Sequence, residues 1–175
     1  SNAKAVNFGI VYGISAFSLS QDIGVSVAEA KAYMEAYFAT FPGVRKYMDD
    51  VVAKAKEQGY VETLFHRRRE LPEIRSSNFN MRSFGERVAL NMPIQGTAAD
   101  IMKLAMVAVE KRLKRELPEA KLVLQVHDEL IVECPEPQAK AAAKLLEGEM
   151  EQVAHLSVPL TAEAHWGRNW LEAKG

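Results

Sequence analysis

Two apolar runs separated by three residues limit this fold more than any other stretch of the chain. Val123-Leu124-Gln125-Val126 and Leu130-Ile131-Val132 read as β-strands, and His127-Asp128-Glu129 between them leaves room only for a tight hairpin. An antiparallel pair must therefore form, with three ionisable groups at its tip. Paired carboxylates on a rigid hairpin suit a divalent metal. Mg²⁺ favours hard carboxylate oxygens, takes one or two from the protein and leaves its other positions to water and substrate phosphates. The alternative is a polar turn that only solvates itself, since polar residues dominate turns.

The rest of the chain alternates helical and strand periods. Lys4 to Gly13 fits a short helix closed by glycine, with Lys4, Phe8 and Tyr12 four residues apart on one face. Such a stripe could bind a triphosphate and stack on its base, or it could be an amphipathic helix with two core aromatics and a solvated lysine. Ser26-Val27-Ala28-Glu29 is a capping box opening a helix, and Tyr33, Met34, Tyr37, Phe38 and Phe41 form a stripe read as core. Pro42-Gly43 breaks that helix, and another runs from about Val44 to Gln58 before Gly59.

From Tyr60 the period changes to two. Tyr60 to Leu64 reads as a strand and Phe65-His66-Arg67-Arg68-Arg69 as a basic hairpin tip. Arg67 and Arg68 there could grip phosphates, or simply stand in water. Two helices are then expected, about Phe79 to Asn91 and Thr97 to Leu117, broken at Met92-Pro93-Ile94; the second has an apolar face of Ile101, Leu104, Ala105, Ala108 and Leu113. Arg87, Asn91 and Gln95 are spaced four apart across the break. They would align if helical geometry persists through Pro93, and Arg, Asn and Gln suit the acceptors of a DNA minor groove; helix caps and ties are the other reading. An alanine-rich helix from about Gln138 to Ala154 and a last strand, Val158 to Ala164, precede Trp166 and Trp170.

Composition narrows the class. The 175 residues are 48 % apolar, enough for a core, and no run is long enough to span a membrane. With no signal-like N-terminus, the expected location is cytoplasmic, and the single cysteine, Cys134, fits a reducing compartment. A net charge of −1 gives no general attraction to nucleic acid, so DNA binding would need the local arginine cluster. Ser1-Asn2-Ala3 looks like the remnant of a cleaved expression tag running straight into mid-helix, which makes the chain a piece of a longer protein.

Taken in order, the motifs resemble family A DNA polymerases of the bacterial DNA polymerase I type. Lys4 to Gly13 is similar to that family's nucleotide-binding helix, Asn91-Met-Pro-Ile-Gln95-Gly-Thr-Ala-Ala-Asp100 to the segment before its palm helix, and Gln125 to Leu130 to its second catalytic carboxylate motif. Tyr60 to Leu64, the arginine hairpin, Val158-Pro-Leu and Asn169-Trp170 extend the similarity over essentially the whole chain. The last strand departs from the family's Val-Glu-Val-Gly-x-Gly pattern at Ala162-Glu163-Ala164-His165-Trp166-Gly167.

The resemblance implies an α+β fold: a helical fingers subdomain over residues 4–81 and the C-terminal part of a palm, with an antiparallel sheet, over 82–175, after the tag remnant at 1–3. It implies DNA-directed DNA polymerase activity in replication and repair, with deoxynucleoside triphosphates and primer-template DNA as partners. Lys4 would contact the incoming phosphates and protonate pyrophosphate, Phe8 would pack on the sugar and base, and Tyr12 would stand beside the template base. Arg87, Asn91, Gln95 and His127 would hold the primer-template. Asp128 would bind both catalytic Mg²⁺ ions, with Glu129 as an auxiliary carboxylate. The family's other catalytic aspartate lies in a D-Y-S-x-I-E-type segment, which these residues do not contain. Two metals roughly 3.5–4 Å apart need more than one aspartate, so the fragment alone is expected to be inactive. A cut palm sheet would also expose an edge near Val123 or Val126 and invite a homodimer. The rival readings are a non-catalytic nucleic-acid-binding module and a metal-dependent phosphodiester hydrolase built on His127, Asp128 and Glu129. The latter would need more ligands, and His66, His155 and His165 are not spaced as a set.

Overall fold

Helix α1 (Asn2–Val11) ends where its glycine requires. Gly13 has a φ of 77°; its N–H donates to the Ile10 carbonyl and that of Ile14 to the Gly9 carbonyl, both at 2.9 Å. A Cβ on Gly13 would lie 2.9 Å from Leu90 Cδ1, so conformation and space both exclude a side chain. The computed structural model describes residues 2–174, which leaves Ser1 of the tag-like Ser1-Asn2-Ala3 outside the described residues. The chain divides into two units, Ser1–Thr97 and Ala98–Gly175. The α+β class expected from the sequence holds, with helices dominating and two small antiparallel sheets among the described residues.

In the first unit α1 is followed by α2 (Ala16–Ile23), α3 (Val27–Thr40) and α4 (Pro42–Gln58). The sequence reading did not anticipate α2, although Ser15 caps it, accepting from the Ser18 N–H at 3.0 Å, and Gly24 closes it. The capping box of α3 forms as read: Ser26 Oγ accepts the Glu29 N–H, and the Glu29 carboxylate accepts the Ser26 N–H at 2.9 Å. The Ser26 hydroxyl, and after it that N–H bond, hold the Glu29 carboxyl below the usual carboxylate range. The aromatic stripe of α3 is not core. Tyr33 is 48 % and Phe41 51 % exposed, and the residue α3 buries is Ala30. The rings of Tyr33, Tyr37 and Phe41 instead border an open hollow of about 820 Å³ that Val6, Ile23 and Val25 also line. Helical spacing marked a face correctly, but no apolar layer covers it in the described unit.

Strands β1 (Tyr60–Glu62) and β2 (Arg68–Glu70) pair antiparallel, Val61 opposite Arg69. A 3₁₀ turn, Pro72–Arg75, returns the chain to α4. There Arg75 Nε donates to the Lys56 carbonyl at 3.0 Å and Nη2 to that of Glu57, occupying carbonyls that the helix end leaves open. Ala55, Val61, Leu71, Ile74 and Ala89 form the core beneath, flanked by Val51, Val88 and Met92.

The two helices expected around Pro93 are one: α5 runs unbroken over 38 residues, Phe79–Glu116, with Pro93 inside. Proline removes one N–H donor and crowds one carbonyl, at a cost of about 3 kcal/mol in a free helix. Here the flanking turns are fixed by burial of Ala89, Leu90 and Thr97, so the continuous helix wins. The buried stripe farther along α5 is Ala105, Val109 and Leu113, with Leu104 turned out at 42 % exposure, a shift of the face read from sequence.

In the second unit that stripe packs on β3 (Lys121–Val126), β4 (Glu129–Glu133) and α6 (Ala139–Gln152). Val109, Leu113, Ala120 and Leu145 form its core with Leu117, Leu122, Leu130 and Val132 around them. The register is interrupted between Leu122 and Leu124, and this bulge at Val123 leaves Val123 and Leu124 44 % and 50 % exposed. The last strand expected at 158–164 does not form. The segment keeps a period-two burial pattern, but α6 glutamates replace a partner strand: Glu151 Oε1 accepts the Ala162 N–H at 3.1 Å and Glu147 Oε1 that of Ala164 at 2.9 Å. Trp166 and Trp170, expected to close this end, are 60 % and 44 % exposed, and Trp170 opens a short helix α7 (Trp170–Ala173) capped by Asn169. No helix among the described residues is long and apolar enough to cross a membrane.

Candidate functional site

Three groups of predicted residues lie in the first unit. On α1 the four-residue spacing produces a continuous outer face: Lys4 Nζ lies 5.8 Å from the Phe8 ring centroid, and Phe8 and Tyr12 stack at 6.3 Å with 23° between planes. Phe8 is 51 % exposed and Tyr12 38 %, so these aromatics are not core. An ammonium followed by two accessible stacked rings can take up an anion beside a flat aromatic ligand. Behind α1, Val11, Val44, Tyr47, Met48, Leu90 and Ile94 line an apolar cavity of about 270 Å³. Burial there pushes the Tyr47 phenol above its ordinary value.

Because α5 continues through Pro93, Arg87, Asn91 and Gln95 do share one helical stripe. Arg87 Nη1 donates to Ser83 Oγ at 3.0 Å, which leaves the rest of its guanidinium available. The Asn91 Oδ1 is buried without a hydrogen-bond partner among the described residues. Gln95 is exposed.

The arginine hairpin is more constrained than its sequence suggests. Arg68 Nε donates to Glu62 Oε1 at 2.6 Å across the strand pair, and its guanidinium lies 4.4 Å over the Tyr60 ring. The hydrogen bond to Glu62, chiefly, pushes the Arg68 guanidinium still higher than usual, keeping it charged. Arg69, which the sequence reading left out of its candidate set, makes no such contact among the described residues and stands exposed on β2. Arg82 is likewise committed, its Nη1 donating to the Ser76 carbonyl at 3.0 Å. Also missed was the pair Thr63 and Thr97, both buried and 34 positions apart, whose joint bonding no short-range pattern could reveal.

The remaining residues, His127, Asp128 and Glu129, cluster in the second unit as read. The connection is His127-Asp128, one residue shorter than the three expected from the sequence, because Glu129 pairs with Val126 and belongs to β4. His127 carries the turn at a φ of 52°, a left-handed conformation that non-glycine residues seldom adopt, and Gln125 Nε2 braces its carbonyl at 2.7 Å. The Asp128 and Glu129 side chains are exposed, and neither carboxylate has a hydrogen-bond or ion-pair partner among the described residues. Two adjacent hard oxygen donors, free of protein cations, fit the one or two carboxylates that Mg²⁺ takes from a protein. They do not make a closed cage: among the described residues no three His, Cys, Asp or Glu side chains converge as metal ligands.

The sequence profile of the family described as DNA polymerase family A matches residues 1–172. The chain is 55 % identical over 173 residues to the DNA polymerase I of Streptococcus pneumoniae serotype 4, covering 99 % of the chain and 20 % of that protein. It is 54 % identical over 172 residues to the DNA polymerase I of Geobacillus stearothermophilus, covering 98 % of the chain and 20 % of that protein. The chain thus spans about a fifth of the length of these curated relatives. A solved structure of the POL domain of Pol1 from M. smegmatis, in complex with DNA primer-template and dNTP, superposes with a TM-score of 0.95 at 44 % identity, covering 99 % of this chain and 31 % of that one. With a whole-length profile match and half of its residues shared with such relatives, the chain belongs to DNA polymerase family A.

Proposed function

We propose that this chain is part of a DNA-directed DNA polymerase that extends a primer 3′-end in DNA replication and repair. The observation that carries this is the TM-score of 0.95, over 99 % of the chain, to a polymerase domain bound to primer-template and dNTP. The 3′-hydroxyl oxygen of the primer gives its proton to solvent water and attacks the α-phosphorus of a deoxynucleoside triphosphate, and the bond to pyrophosphate breaks. Lys4 binds the phosphates and gives a proton to the leaving pyrophosphate. Phe8 packs on the nucleotide's sugar and base, and Tyr12 stands beside the template base. Arg87, Asn91, Gln95 and His127 hold the primer-template, and Arg67 and Arg68 add phosphate contacts at the basic hairpin. Asp128 and Glu129 would hold Mg²⁺, which when bound stabilises charge on the attacking and leaving oxygens.

In this reading residues 4–81 belong to a fingers subdomain and 82–175 to a palm, in a bacterial cytoplasmic enzyme. These 175 residues alone are inactive, because Asp128 and Glu129 supply only part of a two-ion site. The open edges of the β3–β4 pair can associate two copies as a homodimer. Primer extension tests the proposal. Full-length protein should extend a primer with Mg²⁺ and four deoxynucleotides, Asp128→Ala should abolish this, and the folded 175-residue chain should give no product. Template-independent phosphodiesterase activity in the folded 175-residue chain, lost in Asp128→Ala, would sink the reading in favour of the hydrolase. Sedimentation as a monomer at every concentration would sink the homodimer.

A further inference from the structure

Two buried hydroxyls hold the tip of the basic hairpin: that of Thr97 ties it to α5, and that of Thr63 fixes its turn. Thr97 Oγ1 donates to the Pro93 carbonyl one turn back, an ordinary bond for a helical threonine. It also accepts the Leu64 N–H at 3.0 Å, from 33 positions away in sequence. Thr63, the preceding residue, holds the turn itself: its Oγ1 accepts the N–H groups of Phe65 and Arg67, each at 3.2 Å. Its carbonyl accepts the His66 N–H, and its own N–H donates to the Arg67 carbonyl, each at 3.0 Å. Thr63 is 4 % exposed and Thr97 8 %. Gly96 makes the approach possible, since a Cβ there would stand 2.7 Å from Thr63 Cγ2.

The position of this joint on the helix matters. Met92 and Gly96, one turn apart, meet the hairpin side, and Asn91 and Gln95 precede them by one residue each. One residue is about 100° of rotation, so the stripe of Arg87, Asn91 and Gln95 runs beside the attachment line. Arg69 is exposed on β2, and the tip from which that strand departs is the part held. We infer that Thr63 and Thr97 are positioning residues that set the arginine hairpin in register with the Arg87, Asn91 and Gln95 stripe, so that both meet one primer-template. This deepens the polymerase reading and rests on it. Neither threonine touches DNA; each acts through backbone N–H groups of the tip.

The test is equilibrium binding of the full-length protein to a fluorescent primer-template across a range of salt concentrations. For Thr97→Val the slope of log affinity against log salt should fall by about one, the signature of one lost phosphate contact. Arg69→Ala should give the same fall, and combining the two should give no more. Thr97→Ser, which keeps the hydroxyl, should restore the slope. Gly96→Ala favours the helix but wedges Thr63 away, and it should reproduce the loss even if Thr97→Val folds poorly. Unchanged slopes in both Gly96→Ala and Thr97→Val would overturn the inference alone. No salt-dependent binding by the unaltered protein would overturn the reading beneath it, and the inference with it.

Discussion

The two hairpins are built alike and use their charges differently. Each is a short antiparallel pair, and each turns through a histidine in the left-handed region, His66 at φ 62° and His127 at φ 52°. At the basic hairpin much of the polar capacity is used internally, with Arg68 on Glu62 and Tyr60, and the tip amides on Thr63 and Thr97. At the acidic hairpin Asp128 and Glu129 have no protein partner among the described residues, and apolar Val123 and Leu124 stand exposed. A charge paired within its own fold contributes register and grips a phosphate more weakly than an unpaired one. An unpaired carboxylate on a turn kept in a costly conformation is available to a cation.

The sharpest way to break this comparison is Asp128→Ala in the full-length protein. Loss of several kcal/mol of transition-state charge stabilisation lowers primer extension by about a thousandfold, with circular dichroism unchanged. If the acidic hairpin were merely structural, the rate would hold. Thr97→Val leaves the Leu64 N–H without its acceptor and is expected to destabilise the fold by about 1–3 kcal/mol in urea denaturation, an effect Asp128→Ala should not show.

Exchange of each turn histidine for glycine separates conformation from chemistry. Both His66→Gly and His127→Gly should relieve left-handed strain and raise stability by up to about 1 kcal/mol. Only His127→Gly should weaken primer-template binding, as read from its affinity beside that of His66→Gly. The smallest effect belongs to Glu62→Gln. The exposed Arg68 pair contributes under about 1 kcal/mol, so stability should barely move. Freed from its carboxylate, Arg68 should strengthen DNA binding at low salt, and no change there would mean that the guanidinium cannot reach DNA.

Patterns confined to a few residues were legible in the sequence, since their physics is local. The Ser26–Glu29 box, the Gly13 and Gly59 helix ends, the Lys4, Phe8 and Tyr12 face and the existence of a tight hairpin turn after Val126 follow from caps, periods and connection length, whereas the pairing that takes Glu129 out of the turn and into β4 does not. Where the sequence reading failed, a distant partner decided the outcome. Pro93 signals a break, yet packing of the flanking turns carries α5 through it and thereby aligns Arg87, Asn91 and Gln95. Residues 158–164 have a strand's alternation, but a strand needs a neighbour, and the carboxylates of Glu147 and Glu151 bond its amides instead. The α3 aromatics have a core's spacing, but among the described residues no layer covers them. The sequence alone determined which residue types are available for chemistry and in what order they come. Tertiary structure decided which charges are free, because neutralisation of Arg68 and anchoring of the hairpin at Thr97 depend on groups that meet only when the chain is folded.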